Sequence, residues 1–160
     1  MPKTLVLYYS LEGTTEGLAK NIAEQYQLDF EKIQPYKEIK YKGFLKYVFG
    51  GFQVIFKKYP KLKPLKSNLD DYDTIIIGSP IWAGELTPEI YSLFLEDIIK
   101  NKNIYIFYTC KGSDNTPLDK IKTLIEKDNK ILSSCQCISL DAKFKEEKEN
   151  LINWIETINF

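Results

Sequence analysis

Thr4-Leu5-Val6-Leu7-Tyr8-Tyr9-Ser10-Leu11-Glu12-Gly13-Thr14-Thr15-Glu16 decides how the rest of the chain is read. Its apolar start, Thr4 to Tyr9, reads as a buried strand. The hydroxyl-rich stretch reads as a turn, and the following segment, with Leu18, Ile22 and Ala23 on one face, as a helix. Such a turn leaves backbone N–H groups open at a helix N-terminus with hydroxyl donors beside them, which suits a phosphate group. No lysine lies between Ser10 and Lys20, so neutral donors alone hold a phosphate there.

The same alternation continues outward. A helix is expected over Thr15 to Tyr26, a strand over Leu28 to Ile33, and a β-branched strand at Thr74-Ile75-Ile76-Ile77-Gly78. Pro88 to Lys100 reads as a helix, Asn103 to Thr109 as a strand, and Pro117 to Lys127 as a helix. Ile131 to Leu140 is a fifth strand and Phe144 to Ile158 a last helix. Five strands alternating with helices predict a doubly wound α/β fold with right-handed crossovers, and the 160 residues suit one domain, residues 1–160.

Residues 35–66, between strands two and three, break the pattern. They hold nine lysines and one acid, Glu38, for a net charge of +8, which leaves −8 for the rest of a chain of net charge zero. Phe44, Leu45, Val48, Phe52, Ile55 and Phe56 recur at helical spacing, and Gly50-Gly51 sits within that helix as a weak point. Two readings stay open. The helix covers a sheet face with solvated lysines outside, or the segment is a docking surface for an acidic partner or anionic lipid.

Composition narrows the chemistry. The chain has no His and no Arg, so metal hydrolysis and Ser-His or Cys-His catalysis have no support; neither a metal site nor a catalytic residue is assigned. Zero net charge gives no global field for nucleic acid or membrane. Three cysteines, Cys110, Cys135 and Cys137, do not make a disulfide framework. No apolar run approaches the roughly 20 residues of a membrane span, and a cytoplasmic location is expected.

In an open parallel sheet, ligands sit beyond the carboxyl ends of the strands. Three segments end strands and carry suitable residues: Ser10 to Thr15, Gly78 to Glu85, and Thr109 to Asn115. In the order 2-1-3-4-5 their strands are neighbours, so the three loops converge.

This arrangement resembles flavodoxin, over nearly the whole chain and of the short-chain type. Ser10-Leu11-Glu12-Gly13-Thr14-Thr15 is similar to that family's phosphate loop, and Tyr72 to Gly84 to its flavin-flanking loop. The resemblance implies a flavodoxin-like three-layer sandwich, a five-stranded parallel sheet with helices on both faces. It implies FMN as cofactor. Ser10, Thr14 and Thr15 would hold the phosphate through hydroxyls, together with the backbone N–H groups of Leu11, Glu12, Gly13, Thr14 and Thr15. Glu12 stands where the family usually has Thr, and its carboxylate is expected to point outward. Pro80, Ile81, Trp82, Ala83 and Gly84 would flank the flavin, with Trp82 stacking on it and the Ala83–Gly84 peptide turning over on reduction. Thr109, Cys110, Lys111 and Gly112 would meet its pyrimidine edge. The aromatic that many relatives place on the third loop is missing, so the second flavin face is open or is covered from residues 41–56.

Three functions follow from the resemblance. The first is electron carriage between redox partner proteins, or to a small electron acceptor. The second is an NAD(P)H-dependent oxidoreductase acting on quinones or similar acceptors. The third is a binding domain of this fold that has lost FMN.

Overall fold

A computed structural model describes residues 3–111, 117–138 and 144–158, with backbone alone for 144–147. The elements run β1 (Thr4–Tyr8), α1 (Thr14–Tyr26), β2 (Asp29–Lys32), α2 (Phe44–Ile55), β3 (Thr74–Trp82), β4 (Glu85–Leu86), α3 (Pro88–Leu95), β5 (Asn103–Cys110), α4 (Pro117–Glu126), β6 (Lys130–Ile138) and α5 (Phe144–Glu156). The parallel sheet has the order β2-β1-β3-β5-β6, and β4 is a two-residue antiparallel arm on β3. Counting the parallel strands alone, this is the expected 2-1-3-4-5. Ser139 and Leu140, expected to end the fifth strand, lie outside the described residues.

Side chains alternate across the strands, so each sheet face builds its own core. Leu5, Leu7, Ile75, Ile77, Ile104 and Ile106 face one way, onto Ile90 and Leu93 of α3 and Ile121 and Ile125 of α4. Val6, Tyr8, Ile76 and Phe107 face the other way, onto Leu18 and Ile22 of α1 and Leu151 and Ile155 of α5. A sheet buried on both faces explains why its strands read as continuous apolar runs.

Gly78 has a packing reason to be glycine. It sits opposite Phe107 in the β3–β5 register, and a Cβ there would lie 2.4 Å from Phe107 Cζ. Phe107 is fully buried and has nowhere to withdraw. Gly78→Ala is therefore expected to destabilise the fold by about 2 kcal/mol through overpacking. Urea denaturation of the variant checks this; an unchanged midpoint would show that the ring yields.

Three expectations are corrected. The third helix ends at Leu95, not near Lys100, because Asp97 takes φ 55° and the Ile98 N–H turns back onto Leu93 O at 2.9 Å. Gly78 to Trp82 is strand, not loop, because Ala83 and Gly84 turn the chain directly back into β4. The apolar repeat of α2 does not cover the sheet, since its large side chains are exposed and Gly50 and Val54 are the buried residues.

Candidate functional site

β1, β3 and β5 end side by side, with Tyr8 paired to Gly78 and Pro80 to Thr109. Beyond their carboxyl ends lies a cleft of about 180 Å³. Its wall is made by Ser10, Leu11, Glu12, Thr14 and Thr15 after β1, by Pro80, Ile81 and Trp82 of β3, and by Thr109, Cys110 and Lys111 at the end of β5. Of the other expected residues, Gly13, Ala83 and Gly84 are outside the lining, and Gly112 lies outside the described residues. Tyr47 of α2 completes the wall, a residue 32 or more positions from any expected site residue in the chain.

The first turn is set by Gly13, which takes φ 96° as the cap of α1, a conformation glycine adopts at little cost. Ser10 Oγ accepts the Gly13 N–H at 3.0 Å, which closes the turn and leaves the hydroxyl proton free to donate. Among the described residues no side chain caps α1. The first-turn amides of an α-helix have no partner within the helix, so here they stand open to an anion from outside the protein. Thr15 is buried, and its hydroxyl bonds that of Thr109 at 2.9 Å, tying the first loop to the third.

Trp82 ends β3 just before a tight reversal. Trp82 pairs with Glu85 across the two-residue turn Ala83-Gly84, at φ 48° and φ 79°. Positive φ at both central residues suits the twist of a hairpin, and Ala83 accepts it against its usual preference. Glu85 anchors the arm, accepting from Tyr91 Oη at 2.8 Å and pairing with Lys120 at 3.0 Å. The Trp82 ring packs edge-on against Tyr9, with centroids 5.7 Å apart. Gly50 of α2 also comes so close that a Cβ would sit 3.0 Å from Trp82 Cε3. Gly50 is thus an approach point for the helix, where the sequence suggested a weak one.

The mouth is closed on one flank by a polar cluster. Tyr47 Oη donates to Glu12 Oε2 at 2.5 Å and accepts from Lys111 Nζ at 3.3 Å. Lys46 forms an ion pair with Glu12. Hydrogen bonds from Lys46 and then Tyr47 hold the Glu12 carboxyl below its ordinary range. The carboxylate is therefore drawn to α2 and neutralised by Lys46, while Lys111 adds one cation to the lining beside the hydroxyls of Ser10, Thr14 and Thr15. Cys110 accepts a hydrogen bond from Gln136 Nε2 at 3.1 Å. The sequence allowed an aromatic from residues 41–56 at the site without saying which, and the structure places Tyr47 in the cleft wall; periodicity could not give the contacts of α2, so Lys46 carried no signal.

A sequence model of the family described as flavodoxin matches residues 3–158. The chain is 29% identical over 154 residues to the flavodoxin-like domain-containing protein BilS of Clostridioides difficile (strain CD3), covering 90% of this chain and 73% of that one. A flavoprotein of Lactobacillus acidophilus NCFM, solved in complex with FMN, superposes with a TM-score of 0.72 at 22% identity, covering 91% of this chain and 98% of that one. A solved structure from Bacteroides uniformis ATCC 8492 superposes with a TM-score of 0.76 at 28% identity, covering 97% and 98%.

Proposed function

The chain belongs to the flavodoxin family, and from that premise we propose that it binds FMN in this cleft and carries electrons between redox partners as a single flavodoxin-like domain. One observation carries the reading: a single cleft contains both the uncapped N-terminus of α1 and the ring of Trp82. The donor set fits a phosphate ester at one part and a flat aromatic ring at another.

In this reading the phosphate takes the amides of Leu11, Glu12, Thr14 and Thr15, the Ser10 and Thr14 hydroxyls and the Lys111 ammonium, while the Gly13 N–H stays on Ser10 Oγ. Trp82 offers a ring face already held by Tyr9 and Gly50, and Tyr47 a second aromatic surface. Glu12 stays off the phosphate because Lys46 and Tyr47 hold it. The backbone of Thr109, Cys110 and Lys111 meets the polar edge of the ring. FMN supplies one- and two-electron chemistry when bound, and the protein sets its potential and its access to partners.

Purified protein with a flavin spectrum that releases FMN on denaturation supports the cofactor. Protein that stays colourless with added FMN overturns it and favours a binding domain of this fold without flavin. NADH or NADPH oxidation with a benzoquinone acceptor then separates carrier from enzyme. A carrier turns over slowly without a reductase. Unassisted turnover near the enzyme median of about 10 per second would make the protein an NAD(P)H-dependent quinone oxidoreductase instead.

A further inference from the structure

Helix α2 is built inside out. Toward the protein it presents Gly50 and Val54, with Lys46 and Gln53 half-buried at the edges. Toward solvent it presents Phe44, Leu45, Val48, Phe52, Ile55 and Phe56, with Phe44 exposed to 78% and Ile55 to 69%. The exposed rings form a ladder, with Phe49–Phe52 centroids at 6.3 Å and Phe52–Phe56 at 4.2 Å. An apolar patch of this kind on a surface marks a place where something binds.

Charge says what kind of surface covers it. No acidic residue occurs from Ile39 to Leu69. Lys40 and Lys42 precede the helix, Lys57, Lys58, Lys61 and Lys63 follow it, and all six are exposed. Lys58 Nζ lies over the Phe52 ring, 5.2 Å from its centre, so one of these cations sits on the apolar ridge itself. A second copy of the chain would bring two segments of net +8 face to face, which opposes self-association. A protein partner would need an apolar groove rimmed with acids. An anionic bilayer meets both demands without any groove, since acyl chains take the ridge and headgroups take the lysines. The 12 residues of α2 are too few to cross a bilayer, and no described helix is long and apolar enough to do so.

We propose that α2 lies in the surface of an anionic membrane, its apolar ridge in the acyl–headgroup boundary and its flanking lysines on the headgroups. Tyr47, on the same helix, is part of the cleft wall, so this docking holds the cleft at the membrane surface.

The full chain is sedimented with phosphatidylcholine vesicles and with vesicles of equimolar phosphatidylcholine and phosphatidylglycerol. Binding is expected to the anionic vesicles over the neutral ones, and to weaken as salt rises. Lys57→Gln, Lys58→Gln and Lys61→Gln together should weaken it about 100-fold, at about fivefold per lysine. Phe44→Ser with Ile55→Ser should weaken it by a similar factor of about 100 through lost apolar burial. Both side chains are exposed, so the thermal midpoint of that variant should match the parent. Equal partition into both vesicles overturns the proposal. So does anionic binding that Phe44→Ser/Ile55→Ser leaves intact, which would be charge attraction alone. Failure to bind either vesicle, or a solution dimer that this variant dissociates, assigns the ridge to a protein surface instead.

Discussion

Trp82→Ala weakens FMN binding about 100-fold. The estimate starts from one ring face covered by the flavin, on the order of 70 Å² at about 25 cal/mol per Å², which is roughly 2 kcal/mol. Offset stacking of two aromatic systems contributes about 1 kcal/mol more. Together, about 3 kcal/mol corresponds to about a hundredfold in Kd. The effect is large because the ring is held in place before the ligand arrives. Tyr9 packs on it edge-on at 5.7 Å, and Gly50 lies against it. Little conformational entropy is then lost on binding. Trp82→Phe keeps a flat face in the same position and should retain most of the affinity. Titration of flavin-free protein with FMN, followed by flavin fluorescence, gives both constants. A Trp82→Ala Kd within about threefold of the parent would remove Trp82 from the site.

Much of this fold could be read from periodicity. The run Thr74 to Ile77 has no polar break because both its faces are buried, and only a central parallel strand needs that. The strand-turn-helix at Thr4 to Tyr26 is legible for a complementary reason. Its turn needs positive φ at one residue, and Gly13 stands there. The misread segments lack such signals. The reversal after Trp82 uses Ala83 at φ 48°, and an Ala-Gly pair is not the usual mark of a two-residue hairpin. The early end of α3 turns on Asp97 at φ 55°, with no glycine to announce it.

Helix α2 shows a different limit. Spacing reveals which side chains share a face, but not which face meets the protein. The hydrophobic effect normally decides that, and it assigns Phe44, Val48, Phe52 and Ile55 inward. Steric approach decides otherwise here. Only Gly50 lets the helix axis come close to Trp82, and the bulky face is left outside. With that rotation Tyr47 comes to the cleft edge and Lys46 to Glu12, a pairing no local pattern encodes. The same rotation resolves the departure at Glu12. Its carboxylate is unsuited to a phosphate loop on its own but has a cation waiting on a neighbouring helix.

Glu89→Gln should make the protein more stable than the parent at pH 8, by about 3 kcal/mol, and little different from it at pH 5. Glu89 lies in the first turn of α3 and is only 2% exposed. Its Oε2 atom has no hydrogen-bond partner among the described residues. Burial pushes the carboxyl up from 4.5 to about 7, outweighing the helix dipole and the nearby donors of its own backbone, Thr87 and Tyr9, which favour the ionised form. The folded state therefore binds more protons than the unfolded chain between those two values. Stability falls as pH rises through that window, by about 1.4 kcal/mol per unit, or about 3 kcal/mol in all. Glutamine has the same shape and does not ionise, so this loss disappears. Urea denaturation of both proteins at pH 5 and pH 8 reads the difference. The parent should lose stability between the two while the variant holds its own. Parallel loss in both proteins would mean that Glu89 takes up water or rearranges on ionising, and that another carboxyl governs the alkaline limb.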